Sequence, residues 1–137
     1  MNPVYLADTG LLVAFLSRDD QYHEWAVEQF RSRALPFLTC DAVLTESTYL
    51  LDREGLPRER VIDLVVERAV VVSFDPNAEA GSVSEKLSRY ADTPMDYADA
   101  CLVRMSELYP RAEVLTVDED FHVYRRNRAE AVPVIMP

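Results

Sequence analysis

Short apolar runs alternate with segments of helical periodicity along the whole chain. This alternation constrains the fold more than any other feature. Strands separated by helices join as parallel neighbours through crossover connections. Residues 3–7 read as a short buried strand, and Thr9–Leu16 as a helix that Asp8 is placed to cap. Asp19 and Asp20 precede a second helix, at roughly 20–33, where Tyr22, Trp25, Ala26 and Phe30 recur near the 3.6-residue period. Pro36–Cys40 reads as a second strand. Asp41 is the candidate N-cap of a helix that runs to about Arg53 and ends at Gly55.

Pro57 opens a further helix with Val61, Ile62, Leu64, Val65 and Val66 assigned to its buried side. The β-branched run in 70–74 is expected of a strand buried on both faces. Asp75-Pro76 starts a helix to about Tyr90, and Thr93-Pro94 separates it from a helix over 95–108. A fourth strand follows over Glu113–Val117, then an acidic turn over 118–121 and an arginine-rich segment over 124–128. Val132–Met136, interrupted by Pro133, reads as an edge strand. The expectation is an α/β fold built on a largely parallel sheet.

Bulk properties narrow the classes. A chain of 137 residues, 49% hydrophobic, reads as one domain over 1–137 with a core that needs no staples. Three glycines are too few for a glycine-rich phosphate loop. No apolar run is long enough to span a membrane, and no signal-peptide pattern is evident. Cys40 and Cys101 lack metal-ligand spacing and read as reduced packing residues of a cytoplasmic protein. The net charge of −10 argues against a protein that coats nucleic acid without sequence preference. It leaves a nuclease open, because bound cations offset clustered carboxylates.

The acids are out of place. Asp8 closes the run Val4–Ala7, and Asp118 and Asp120 follow Val114–Val117. Both Asp8 and Asp118 therefore belong to the rim at the carboxyl ends of strands, where open parallel sheets bind ligands. Glu46 shares a helix face with Val43 and Leu50, and Asp99 shares one with Met95, Leu102 and Val103. Neither has a basic residue three or four positions away. Asp96 lies three residues before Asp99 on much the same side, yet it also suits a first-turn position of its helix. Asp8 alone could be an ordinary N-cap, and Glu119 and Asp120 an ordinary solvated turn.

Carboxylates at such positions are costly unless compensated. Several together are compensated by a hard cation, Mg²⁺ or Mn²⁺, which prefers oxygen ligands. The chemistry this permits is hydrolysis of a phosphodiester or another phosphate ester.

Four motifs carry a resemblance over nearly the whole chain: Ala7-Asp8-Thr9-Gly10-Leu11-Leu12, Thr45-Glu46, Met95–Ala100 and Leu115–Phe121. In this order they resemble PIN-domain nucleases, and more narrowly the VapC-type toxins of toxin–antitoxin pairs. The resemblance implies a three-layer α/β/α fold with a mainly parallel sheet of four to five strands. It implies an acidic pocket holding Mg²⁺ or Mn²⁺ and endoribonuclease activity that leaves a 5′-phosphate. A homodimer and a partner antitoxin occupying the active-site groove are also implied. By position, Asp8, Glu46, Asp99 and Asp118 match the signature acids, and Thr9 and Thr116 the hydroxyls beside them. Asp96 matches an acid found in part of the family, and Asp120 is an auxiliary ligand candidate. Position 10 is glycine where many relatives carry serine or asparagine.

An acidic enzyme acting on RNA needs local basic surface, and Arg125, Arg126 and Arg128 are the candidates for phosphate contact. A solvated helix with ion pairs is the alternative for that segment. Other readings of the acids fit less well. A haloacid-dehalogenase-type phosphatase wants a second aspartate two residues after the first, where Gly10 stands. A phospho-receiver module wants a lysine after the fifth strand, and the single lysine, Lys86, falls in a helix. A degenerate PIN domain that only binds a partner is the non-catalytic alternative. His23 and His122 form no metal spacing, and His23 reads as a surface helix residue.

Overall fold

The computed structural model describes residues 3–137. The first strand, β1 (Tyr5–Ala7), leads directly into α1 (Thr9–Leu16), then α2 (His23–Ser32) and β2 (Phe37–Thr39). Next come α3 (Asp41–Arg53), α4 (Glu59–Val66) and β3 (Val70–Val72). They are followed by α5 (Pro76–Arg89), α6 (Tyr97–Leu108) and β4 (Glu113–Leu115). A 3-10 turn (Glu119–His122) precedes the small hairpin β5 (Arg125–Arg126) and β6 (Glu130–Ala131), and β7 (Val134–Ile135) ends the chain.

The five-stranded sheet has the order β3-β2-β1-β4-β7, and every pairing is parallel. Helices flank it, α1 packing on α2 and α3, and α5 on α6. This is the three-layer α/β/α arrangement expected from the alternation of elements. The chain winds outward from β1 to β2 and β3, then returns to place β4 on the other side of β1. The reversal makes a crevice between β1 and β4 at their carboxyl ends, where such sheets bind ligands.

The core is a continuous apolar cluster around the central strands. Leu6, Ala7, Val114 and Leu115 are fully buried, together with Leu11, Leu12, Val43, Leu51, Leu102 and Val103 from the helices. Phe15 stacks on Phe30, which packs tilted against Phe37, where α1, α2 and β2 meet. Cys40 and Cys101 are buried free thiols.

Several local expectations need correction. The strand at 70–72 is an edge, not a fully covered strand: Val70 is buried while Val72 is 37% exposed. Its β-branched run satisfies one face and a sheet margin. On α4 only Val61 and Leu64 are buried, whereas Ile62 and Val66 face solvent. Contiguous apolar residues cannot all lie on one side of a single helix. Asp41 is the first residue of α3 and not its cap; Cys40 holds the cap position without a side-chain bond.

The second helix starts at His23 because residues 17–22 form a loop, in which Asp20 accepts the Tyr22 N–H. His23 is half-buried and its Nδ1 bonds the Ala14 carbonyl at 2.7 Å, so it ties α2 to α1. Residues 125–126 pair with 130–131 as a hairpin, so the arginine-rich segment is not helical. The last strand is indeed an edge, next to β4.

Candidate active site

Ala7 and Leu115 are partners in register, and the Asp8 N–H donates to the Leu115 carbonyl. The next residue on each strand therefore meets across the crevice. Thr116 Oγ1 donates to Asp8 Oδ2 at 2.6 Å, while Asp8 Oδ1 accepts the Thr9 N–H at 2.7 Å. Thr116 Oγ1 also accepts the Asp118 N–H at 2.9 Å, which fixes the start of the next turn. Asp8 is thus both the N-cap of α1 and a carboxylate at the strand end; the two readings of this residue are one geometry.

Two helices bring the remaining acids. Glu46 reaches in from α3, and Thr9 Oγ1 donates to its Oε1 at 2.5 Å. Asp96 caps α6, accepting the Asp99 N–H at 2.8 Å, while Asp99 returns the bond to the Asp96 N–H. This reciprocal capping box puts Asp99 on the buried side of the first turn. Asp99 Oδ2 also accepts from the Tyr124 hydroxyl at 3.0 Å. Asp118 accepts the Asp120 N–H at 2.9 Å and opens the 3-10 turn.

Asp8, Glu46, Asp96, Asp99 and Asp118 all line one cleft of about 430 Å³, with Thr9 and Gly10 in its wall. Thr116 is fully buried behind Asp8. Asp120 bonds to Asp118 but does not line the cleft. Asp20, from the loop before α2, does line it, although its sequence context read only as a helix approach.

The electrostatics follow from crowding in a dry place. Asp8 is 5% exposed, and burial pushes its carboxyl up to about 6 against the lowering bonds from Thr116 and Thr9. Burial and then the charge of Asp96 push Asp99 up to about 8. Asp118 is raised for the same first reason. Tyr124 is raised by its own burial and by Asp99, so it stays a hydrogen-bond donor.

Every polar side chain lining the cleft offers oxygen or an amide; no His or Cys is there. That donor set suits Mg²⁺ or Mn²⁺ and not a thiolate-seeking ion. Among the described residues no three such side chains converge into a preformed metal cage. A cation that retains several waters does not require one.

The arginine cluster is placed elsewhere. Arg125 donates to the carbonyls of His122, Val123 and Tyr124. Arg126 donates to the carbonyls of Ser106 and Pro110, at the end of α6 remote from Asp99 by about 10 Å along its axis. Neither they nor the exposed Arg128 lines the cleft. Sequence reasoning also passed over Tyr124. Its hydroxyl lies 25 residues from its partner, and nothing local marks it.

The PIN domain model matches residues 5–127. The chain belongs to the PIN domain family. Among solved structures it is similar to the crystal structure of Mycobacterium tuberculosis VapC20, a sarcin-ricin loop cleaving toxin. The TM-score is 0.77 at 20% sequence identity, covering 87% of this chain and 93% of that one. No curated protein matches in sequence. The match runs from β1 through the Arg125–Arg126 strand, and so includes every carboxylate of this PIN domain's cleft.

Proposed function

We propose that this PIN domain is a Mg²⁺- or Mn²⁺-dependent endoribonuclease and the toxin of a toxin–antitoxin pair. One observation carries the reading: four separate elements deliver Asp8, Glu46, Asp99 and Asp118 to one cleft at the switch point of the sheet. Burial holds two of them, Asp8 and Asp99, protonated well above the ordinary carboxylate range. Such a cluster gains its full charge only beside a cation.

Asp8 and Asp99 are assigned as direct ligands, with Glu46 and Asp118 completing the site directly or through water. When bound, the cation lowers the pKa of water and offsets charge on a phosphoryl oxygen. The chain's own groups do the positioning. Thr116 and the Thr9 N–H fix the two oxygens of Asp8, and Thr9 Oγ1 turns Glu46 toward it. Tyr124 and the Asp96 N–H hold Asp99 Oδ2, which fixes the carboxylate in the cleft wall. Water attacking in line with the departing 3′-oxygen leaves a 5′-phosphate on the product.

The likeness to VapC20, a toxin that cleaves the sarcin-ricin loop, supports RNA as substrate; a cognate antitoxin that covers the cleft and a homodimer are the partners we assign. No helix among the described residues is long and apolar enough to cross a membrane. The reading is tested by incubating the purified protein with total RNA and Mn²⁺. Cleavage is expected, with products bearing 5′-phosphates, and Asp8→Asn should reduce it by ~10²-fold or more. Equal cleavage by Asp8→Asn would overturn the reading.

A further inference from the structure

The acidic cleft leaves open where the phosphates flanking the scissile bond rest. Arg31, Arg58, Arg89, Arg104 and Lys86 are ion-paired within the chain. Arg33 is held by Gln29 and lies over the Tyr5 ring, Arg111 is engaged, and Arg125 and Arg126 are spent on carbonyls. The guanidinium groups of Arg18, Arg53, Arg60, Arg68 and Arg128 make no hydrogen bond or ion pair among the described residues.

Two of these, Arg18 and Arg60, converge from different elements on one concavity of about 400 Å³. Arg18 comes from the loop after α1, and Arg60 from α4. Asp19 and Glu54 also line it, and Glu54 accepts from Ser17 Oγ at 3.3 Å, so the concavity is charge-balanced where the neighbouring cleft is strongly acidic.

The two spaces are lined by successive residues of the same segments. The loop gives Ser17, Arg18 and Asp19 to the concavity and Asp20, Gln21 and Tyr22 to the cleft. Glu46 and Leu50 of α3 border the cleft, and Glu54, the C-cap of α3, borders the concavity. Successive steps of four keep these three on one helix face, over about 12 Å. The carboxylates and the two unpaired arginines therefore lie at opposite ends of the same loop and helix.

We propose that Arg18 and Arg60 form a phosphate subsite for single-stranded RNA, gripping the backbone a short distance from the scissile bond. The proposal rests on the ribonuclease reading for its substrate. It assigns the strand a direction across the protein, along α3 and away from the Arg125–Arg128 hairpin. Guanidinium groups free of internal partners suit this contact, since they offer paired donors to phosphate oxygens.

The test is equilibrium binding of a fluorescein-labelled oligouridylate by anisotropy across a salt series. All proteins carry Asp99→Asn, which removes cutting and leaves the arginines untouched. The double variant Arg18→Gln/Arg60→Gln should bind about tenfold more weakly, with the salt slope of log K reduced by about 1.4, the value for two single-strand phosphates. Arg68→Gln/Arg128→Gln removes the same charge elsewhere and should change affinity less than about twofold. Equal losses in the two pairs, no loss in the first, or no RNA binding by the parent each overturns the subsite. Failure of the protein without these substitutions to cut RNA, with the arginine dependence of binding intact, overturns the enzymatic reading and leaves the subsite standing.

Discussion

One buried hydroxyl helps set where the Asp99 carboxylate points. Tyr124 is fully buried between Phe121 and Tyr90, and its Oη meets Asp99 Oδ2 at 3.0 Å. The bond favours the charged carboxylate and so opposes the larger effect of burial. Tyr124→Phe keeps the packing and removes the bond. Asp99 then titrates higher, so the acid limb of the cleavage pH profile should move up, and kcat should fall about tenfold. An unchanged profile in a Tyr124→Phe variant would show that the ring only packs. At this scale Glu46 and Asp99 were legible in the sequence, because each interrupts an apolar helix face without a local partner. Tyr124 was not, because a tyrosine after a turn looks like any core aromatic until the chain folds back.

Among the elements, α1 closely approaches the strand end after β4 at Gly10. A Cβ built on Gly10 would lie 2.4 Å from Val117 Cγ2. Val117 is β-branched and stiff about χ1, so it cannot simply swing away. Gly10→Ser should therefore cost about 1–3 kcal/mol, read as a lower Tm. Adding Val117→Ala should recover most of the loss; no recovery would place the strain elsewhere. The glycine that looked like a departure from the family pattern is thus matched to a valine across the crevice.

The same scale shows what holds α5 to α6. Lys86 and Glu107 are buried at 2.8 Å, with Arg104 bonding both Glu107 and Glu79. Burial alone would raise Glu107, but the bonds from Lys86, the Asn127 N–H and Arg104 outweigh it and hold it low. A depressed acid contributes stability above its unfolded pKa and loses it as pH falls through the folded value. Lys86→Met should cost about 3 kcal/mol in denaturant unfolding near neutral pH, and the deficit should shrink as pH falls, because the parent loses that contribution on acidification. The alternation of strands and helices was readable; this ion pair was not, since its partners stand 21 residues apart. The edge position of β3 was misread for a related reason. A run of valines reports burial of one face and says nothing about which neighbour a strand lacks.

For the whole molecule, the charge of −10 is stored in part where the fold can least tolerate it. Asp8 near 6, Asp99 near 8 and Asp118, also raised, bind protons more readily folded than unfolded. Between the ordinary carboxylate pKa and these values the folded state holds the greater number of protons. Stability must therefore fall as pH rises through that window, from about pH 4 to about pH 8. A cation that binds the ionised site reverses the balance, because its affinity rises as the protons leave. In EDTA, Tm should drop on the order of 5 °C between about pH 5 and pH 8, and saturating Mn²⁺ should abolish the drop. Asp99→Asn should flatten the metal-free profile, since the largest of the three raised groups is gone, and should weaken the rise on adding Mn²⁺. A Tm that is independent of pH in EDTA, or unmoved by Mn²⁺ at about pH 8, would mean that the carboxylates do not share a site whose charge a metal completes.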